Sequence, residues 1–128
     1  MDRFLLDASA LLNILEGNRE GVKTRDFVRN GELVTSVICK CEVINKANLI
    51  KQAKAEELLS RLIVFAVTVE DGETAVQIQN ECRQTGRQVP TLDALIAATA
   101  ANNGAILVTS DKDFERIDGL RKKVLCAD

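Results

Sequence analysis

Four acidic residues, Asp7, Glu42, Asp93 and Asp111, stand in a chain of 128 residues that contains no histidine. The missing imidazole excludes Ser-His-Asp and Cys-His triads, His-plus-carboxylate zinc hydrolases and nucleases built on a His acid–base pair. Any chemistry must run on carboxylates, thiols, amines or hydroxyls, or on a bound ion. Carboxylates gathered about 4 Å apart repel by roughly 4 kcal/mol at an effective dielectric of about 20, so such a group wants cations. An all-oxygen donor set suits Mg²⁺ or Mn²⁺. These ions lower the pKa of a bound water and neutralise phosphate charge, which points to a phosphodiester as substrate.

Taken singly, each acid has a plainer reading. Asp7 fits a helix N-cap beside Ser9, Asp93 sits in the first turn of a helix, and Asp111 fits a cap before Phe114. Glu42 lies inside the helical run from Ile38 to Ile44 and fits a solvated pair with Lys46. The joint placement of the four depends on the elements that carry them.

Apolar and β-branched runs predict strands over residues 3–6, 33–35, 63–69 and 105–109, with an edge strand at 123–126. Helical spacing with cap and stop residues predicts helices over 8–15, 20–29, 37 to about 51, 54–62, 71–84 and 91–102, and a short one over 111–117. This alternation implies an α/β fold: a three-layer, doubly wound sandwich around a mostly parallel sheet of four to five strands, as one domain over residues 1–128. Ligands of such sheets sit beyond the carboxyl ends of the strands. Asp7 follows the first strand and Ser110-Asp111 the fourth; Asp93 begins the helix before that strand, and Glu42 lies early in the helix after the second.

Lys+Arg 17 against Asp+Glu 19 gives a net charge of -2, which excludes a wholesale basic surface. Two bound divalent ions would turn that -2 into about +2. With no Tyr and no Trp, stacking on bases has little to work with, so nucleic acid would be read through phosphates and shape. Cys39 and Cys41 lack zinc-knuckle spacing and sit among apolar neighbours, which predicts packing roles. Free thiols suit a reducing cytosol. The apolar run before Asp7 is too short for a signal peptide or a membrane span, so the expected location is cytoplasmic, with no membrane partner.

Four stretches resemble the motifs of PIN-domain proteins. They are Phe4-Leu5-Leu6-Asp7-Ala8-Ser9, the run from Ser36-Val37 to Glu42-Val43-Ile44, the run from Gly86 through Pro90 to Asp93-Ala94-Leu95-Ile96-Ala97-Ala98, and Val108-Thr109-Ser110-Asp111-Lys112-Asp113-Phe114. Size and motif style look most like the VapC toxins of prokaryotic toxin–antitoxin pairs. The resemblance implies a homodimeric endoribonuclease dependent on Mg²⁺ or Mn²⁺, with one or two ions. It also implies a small VapB-like antitoxin whose tail occupies the active-site groove. Asp7, Glu42 and Asp93 match the family's metal-holding acids, and Asp111 the fourth. Ser9 takes the small polar position after the first acid, and Thr109 the hydroxyl position before the last. Asp113 lies in the same motif as Asp111; nearness to the strand end favours Asp111. Lys46, Arg87, Lys112 and Arg116 are candidates for RNA contact, against a solvated face for any single one.

Other readings use the same residues differently. A phospho-receiver domain would need paired acids after the first strand and an Asp after the third; Asp7 is single, and Asp71 follows the third strand only after a gap. A non-catalytic binding scaffold or an RNA-processing nuclease without antitoxin would keep the same fold.

Overall fold

The computed structural model describes residues 1–47 and 51–126. Strands β1 (Arg3–Leu6), β2 (Glu32–Ser36), β3 (Ile63–Phe65), β4 (Ala105–Thr109) and β5 (Lys122–Val124) form one parallel sheet in the order β3-β2-β1-β4-β5. Between them run α1 (Ala8–Glu16), α2 (Arg19–Val28), α3 (Val37–Lys46), α4 (Gln52–Ser60), α5 (Val69–Gln84) and α6 (Thr91–Asn102), with a 3₁₀ helix over Lys112–Arg116 before β5. The α/β sandwich read from the sequence is the observed architecture.

β1 lies at the middle of the sheet and is buried on both faces. Its side chains alternate between two cores, as the twofold period of a strand requires. Leu5 packs with Val34, Leu107 and the alanines of α6, while Phe4 and Leu6 pack with Leu11, Ile14, Val43 and Val108. Ala94, Ala97, Ala98 and Ala100 of α6 are all buried, and their small side chains let this helix lie close to its neighbours. From β1 the chain steps out to β2 and β3, then returns past β1 to β4 and β5. The winding reverses between β1 and β4, and a crevice opens beyond the carboxyl ends at such a point. The register pairs Leu6 with Val108, which sets Asp7 beside Thr109.

The connection between α1 and α2 is tight. Gly17 adopts φ 67°, a left-handed value that suits glycine, and its N–H closes α1 on Asn13 and Ile14. A Cβ on Gly21 would stand 2.1 Å from the Asn13 carbonyl oxygen, so only glycine allows the two helices to approach this closely.

Several boundaries differ from the sequence expectation. The third helix, expected to reach about Lys51, ends at Lys46 with Ala47 in an extended conformation; neither Gly nor Pro marks the stop, and residues 48–50 of that expectation lie outside the described residues. The third strand stops at Phe65 instead of Val69, because Thr68 caps α5 in a reciprocal box with Asp71. The segment after Asp111 is 3₁₀ rather than α, and the edge strand ends at Val124 rather than Cys126. Cys39 is buried as expected, but Cys41 is exposed, since it lies on the opposite side of α3.

Asp71 ties α5 to α6. It accepts from the Thr68 backbone N–H at 3.0 Å and from Asn102 Nδ2 at 2.8 Å, with the Thr99 hydroxyl at 3.4 Å. Burial, the largest single influence, pushes this carboxyl up, but the Thr68, Asn102 and Thr99 bonds together hold it below its usual 3.8. A depressed folded pKa stabilises the native state above the unfolded pKa, and that contribution is lost as pH falls through the folded value. Asp71→Ala should therefore cost about 2 kcal/mol in urea unfolding at neutral pH. The gap from wild type should narrow as the pH is lowered below about 4.

Candidate active site

The site is built on Asp7. It ends β1 and caps α1, with Oδ1 accepting from the Ala10 backbone N–H at 3.0 Å and from the Ser9 hydroxyl at 2.7 Å. Oδ2 accepts from the Thr109 hydroxyl at the end of β4. Both hydroxyl protons are thereby engaged, so the 3.2 Å contact between Ser9 Oγ and Thr109 Oγ1 carries no proton of its own. The same two oxygens accept backbone N–H groups: Thr109 Oγ1 from Asp111 at 3.0 Å and Ser9 Oγ from Ser110 at 2.9 Å. Asp7 thus fixes its own oxygens and, through Ser9 and Thr109, the loop that presents Asp111. Burial pushes the Asp7 carboxyl up; the bonds from Thr109, Ala10 and Ser9 pull against that, and Asp111 adds repulsion.

Asp7, Glu42, Asp93 and Asp111 line one cleft of about 400 Å³, together with Ser9 and Lys46. Glu42 is half-buried on α3 and faces this cleft rather than open solvent, and no ion pair joins it to Lys46 among the described residues. Asp93 sits in the first turn of α6, whose start is set by Pro90. Its carboxyl is pushed up to about 6, first by burial and then by Asp111, Asp113, Asp7 and Glu42 in turn. All the other candidate acids therefore repel charge on Asp93.

The remaining sequence candidates divide. Asp111 lines the cleft and accepts from the Asp113 N–H at 2.9 Å, whereas Asp113 turns outward to Arg116 at 3.3 Å. Of the four basic candidates, Lys46 lines the acidic cleft, Arg87 and Arg116 line a neighbouring one, and Lys112 is exposed and lines neither. Asn13, which sequence reasoning missed, also lines the acidic cleft, as does Ser110 beside Asp111. Asn13 donates to Ser110 Oγ at 2.8 Å and is held in turn by Asn18 at 2.9 Å. Asn13 is four residues after Ser9 on α1, so helical spacing placed it on the same face.

Among the described residues, no group of three or more His, Cys, Asp or Glu already stands as a metal-holding set. The donors nevertheless fit a hard divalent ion. They are carboxylate oxygens whose mutual repulsion is visible at Asp93, and Mg²⁺ is commonly held by one or two carboxylates with waters completing the shell.

A carboxyl whose folded pKa is raised makes the native state less stable as pH climbs from the unfolded value to the folded one. In metal-free protein, Asp93→Asn should raise the melting temperature above pH 6 and lose that advantage below about pH 4. Thermal melts of both proteins in EDTA across this range check the sign.

The chain is 28% identical over 127 residues to the tRNA(fMet)-specific endonuclease VapC of Shigella flexneri, covering 94% of this chain and 96% of the relative. It is also 28% identical over 135 residues to the protein of that name from Salmonella typhimurium, covering 98% and 100%. Its fold superposes on DNA-bound VapBC from Salmonella typhimurium with a TM-score of 0.79 at 26% identity, over 98% of this chain and 100% of that one. The VapBC2 complex of Rickettsia felis, bound to a promoter DNA fragment, gives 0.80 at 22% identity over 95% and 98%. The PIN domain model matches residues 4–120, and the chain belongs to the PIN domain family.

Proposed function

We propose that this chain is a divalent-metal-dependent endoribonuclease and the toxin of a toxin–antitoxin pair. The observation that carries the reading is the gathering of Asp7, Glu42, Asp93 and Asp111 on one cleft at the point where the sheet reverses its winding. The kinship with proteins named VapC endonuclease supports the same activity.

In this reading Asp7, Glu42 and Asp93 hold the ion, and Asp111 supports a second ion or its waters. Mg²⁺ or Mn²⁺, as one or two ions, supplies a water of lowered pKa and charge neutralisation at the phosphate. The chain's own residues do the positioning. Ser9 and Thr109 lock both oxygens of Asp7, and Asp111 is aimed by the same hydroxyls. Lys46 at the cleft offers a cation to a non-bridging phosphate oxygen. Asp113 stays outside, paired with Arg116.

The partners in this reading are RNA, a small antitoxin and a second copy of the chain, and the place of action is the cytoplasm. Solved neighbours include a toxin–antitoxin complex from Klebsiella pneumoniae, which motivates looking for such an inhibitor. Among the described residues no helix is long and apolar enough to cross a membrane. A phospho-receiver reading lacks its acid pair. Asp71 bonds Asn102, which ends α6 just before β4 begins, at the opposite edge of the sheet from Asp7.

Pure protein should cleave RNA, tRNA first among the substrates to try, when Mn²⁺ or Mg²⁺ is present, and EDTA should abolish the cleavage. Asp7→Asn and Asp93→Asn should each lower the rate by roughly a hundredfold or more, while Ser9→Ala, at a side chain that positions Asp7 and the Ser110 backbone, should lose about tenfold. Cleavage that persists in EDTA or in both Asn variants rejects the reading.

A further inference from the structure

Beside the acidic cleft lies a second one of about 280 Å³, lined by Gln79, Arg83, Arg87, Gln88, Pro90 and Arg116. Three guanidiniums on one concave surface are notable in a chain whose net charge is -2. Their positions are fixed by the fold. Arg87 Nη1 donates to the Arg116 carbonyl at 3.0 Å, and Arg116 Nη1 donates to the Gln88 carbonyl at 3.2 Å. Each arginine thus grips the segment that carries the other. Arg87 also meets Asp118 at 3.0 Å, and Arg116 meets Asp113 at 3.3 Å. Both pairs are solvent-exposed and contribute little to stability.

Arg83 differs. It sits in the last turn of α5, and its one described partner is the neutral Asn80 side chain at 3.1 Å. Three arginines therefore face two carboxylates, which leaves the cleft with a surplus positive charge among the described residues. A guanidinium carries five N–H donors, and the described bonds engage only part of them. The planar fork matches two oxygens of a phosphate, and holding it in advance reduces the ordering cost of binding.

The two clefts share no lining residue, but two segments of the chain link them. Pro90 lines it and sets the start of α6, three residues before Asp93. Arg116 belongs to the 3₁₀ helix that Asp111 caps, and its partner Asp113 is one of the charges felt by Asp93. A nucleic-acid strand leaving the acidic cleft on this side meets the arginines next.

We infer that the Arg83–Arg87–Arg116 cleft is a phosphate subsite that holds the backbone of single-stranded RNA immediately beside the scissile bond. The inference rests on the nuclease reading and adds where the strand runs. Arg83 carries the surplus charge without gripping the loop, so it is the residue to change.

Binding of a short fluorescent single-stranded RNA is measured by anisotropy in Ca²⁺ over a series of salt concentrations, and cleavage is measured separately in Mn²⁺. Arg83→Gln should weaken binding about threefold at low salt and reduce the log–log salt slope by about 0.7, the value for one phosphate contact on a single strand. Arg83→Lys should restore the slope. An unchanged slope and affinity in both Arg83→Gln and the Arg83→Gln/Arg87→Gln double variant, with the fold verified by circular dichroism, overturns the subsite. So does absence of RNA binding by the wild type, or loss of binding only to an acidic peptide. If wild type binds RNA with the expected Arg83 dependence but never cleaves it, phosphate binding by the cleft stands, and the nuclease reading falls together with the placement beside a scissile bond.

Discussion

A carboxylate taken out of water needs a donor for each of its oxygens, because an ion buried without partners costs roughly several kcal/mol. Asp7 meets this requirement with groups from one helix and one strand: the Ala10 N–H and Ser9 hydroxyl of α1 and the Thr109 hydroxyl of β4. Those bonds fix more than one side chain. α1 must start directly after β1, β4 must lie beside β1 in one register, and Ser110 and Asp111 must fold back onto the same hydroxyls. The placement of the cleft depends on satisfying this one buried group.

Charge on Asp93 acts against the fold. Asp93 is pushed up to about 6 because burial and four neighbouring carboxylates disfavour its charge. The protein keeps this repulsion in one place and builds the surroundings from elements that need no help from it. α6 is held by its alanines and by the Asp71–Asn102 bond at its far end, and Pro90 fixes its near end. Such tension is common where a site is shaped for a ligand rather than for stability. A cation in the cleft would relieve it.

Much of this was legible along the chain. Asp7 with Ser9 reads as a cap, and the alternation of apolar runs with helical spacing gives the parallel sheet and its carboxyl edge. The acid pattern at that edge points to hard-metal chemistry from residue type and spacing alone. The misjudged boundaries have local causes: Thr68-to-Asp71 is a capping box hidden in a β-branched run, and α3 ends at Ala47 with no residue that announces it. Asn13 escaped notice because an asparagine inside an apolar helix reads as a solvated position until Ser110 and Asn18 are seen around it.

The sequence by itself determined which chemistry is available, since residue types are fixed without folding: no histidine, four acids after predicted strands or early in predicted helices, and hydroxyls at Ser9 and Thr109. It also determined the fold class, because hydrophobic periodicity is a local property. Only the tertiary structure decided the choices that depend on direction. It set Glu42 on the cleft without an ion pair to Lys46 among the described residues, put Asp111 inside and Asp113 outside, and gathered Arg83, Arg87 and Arg116 from two segments onto one surface. Spacing along a chain says which residues share an element. Which way a side chain faces is set by what packs against that element, and those neighbours come from distant parts of the chain.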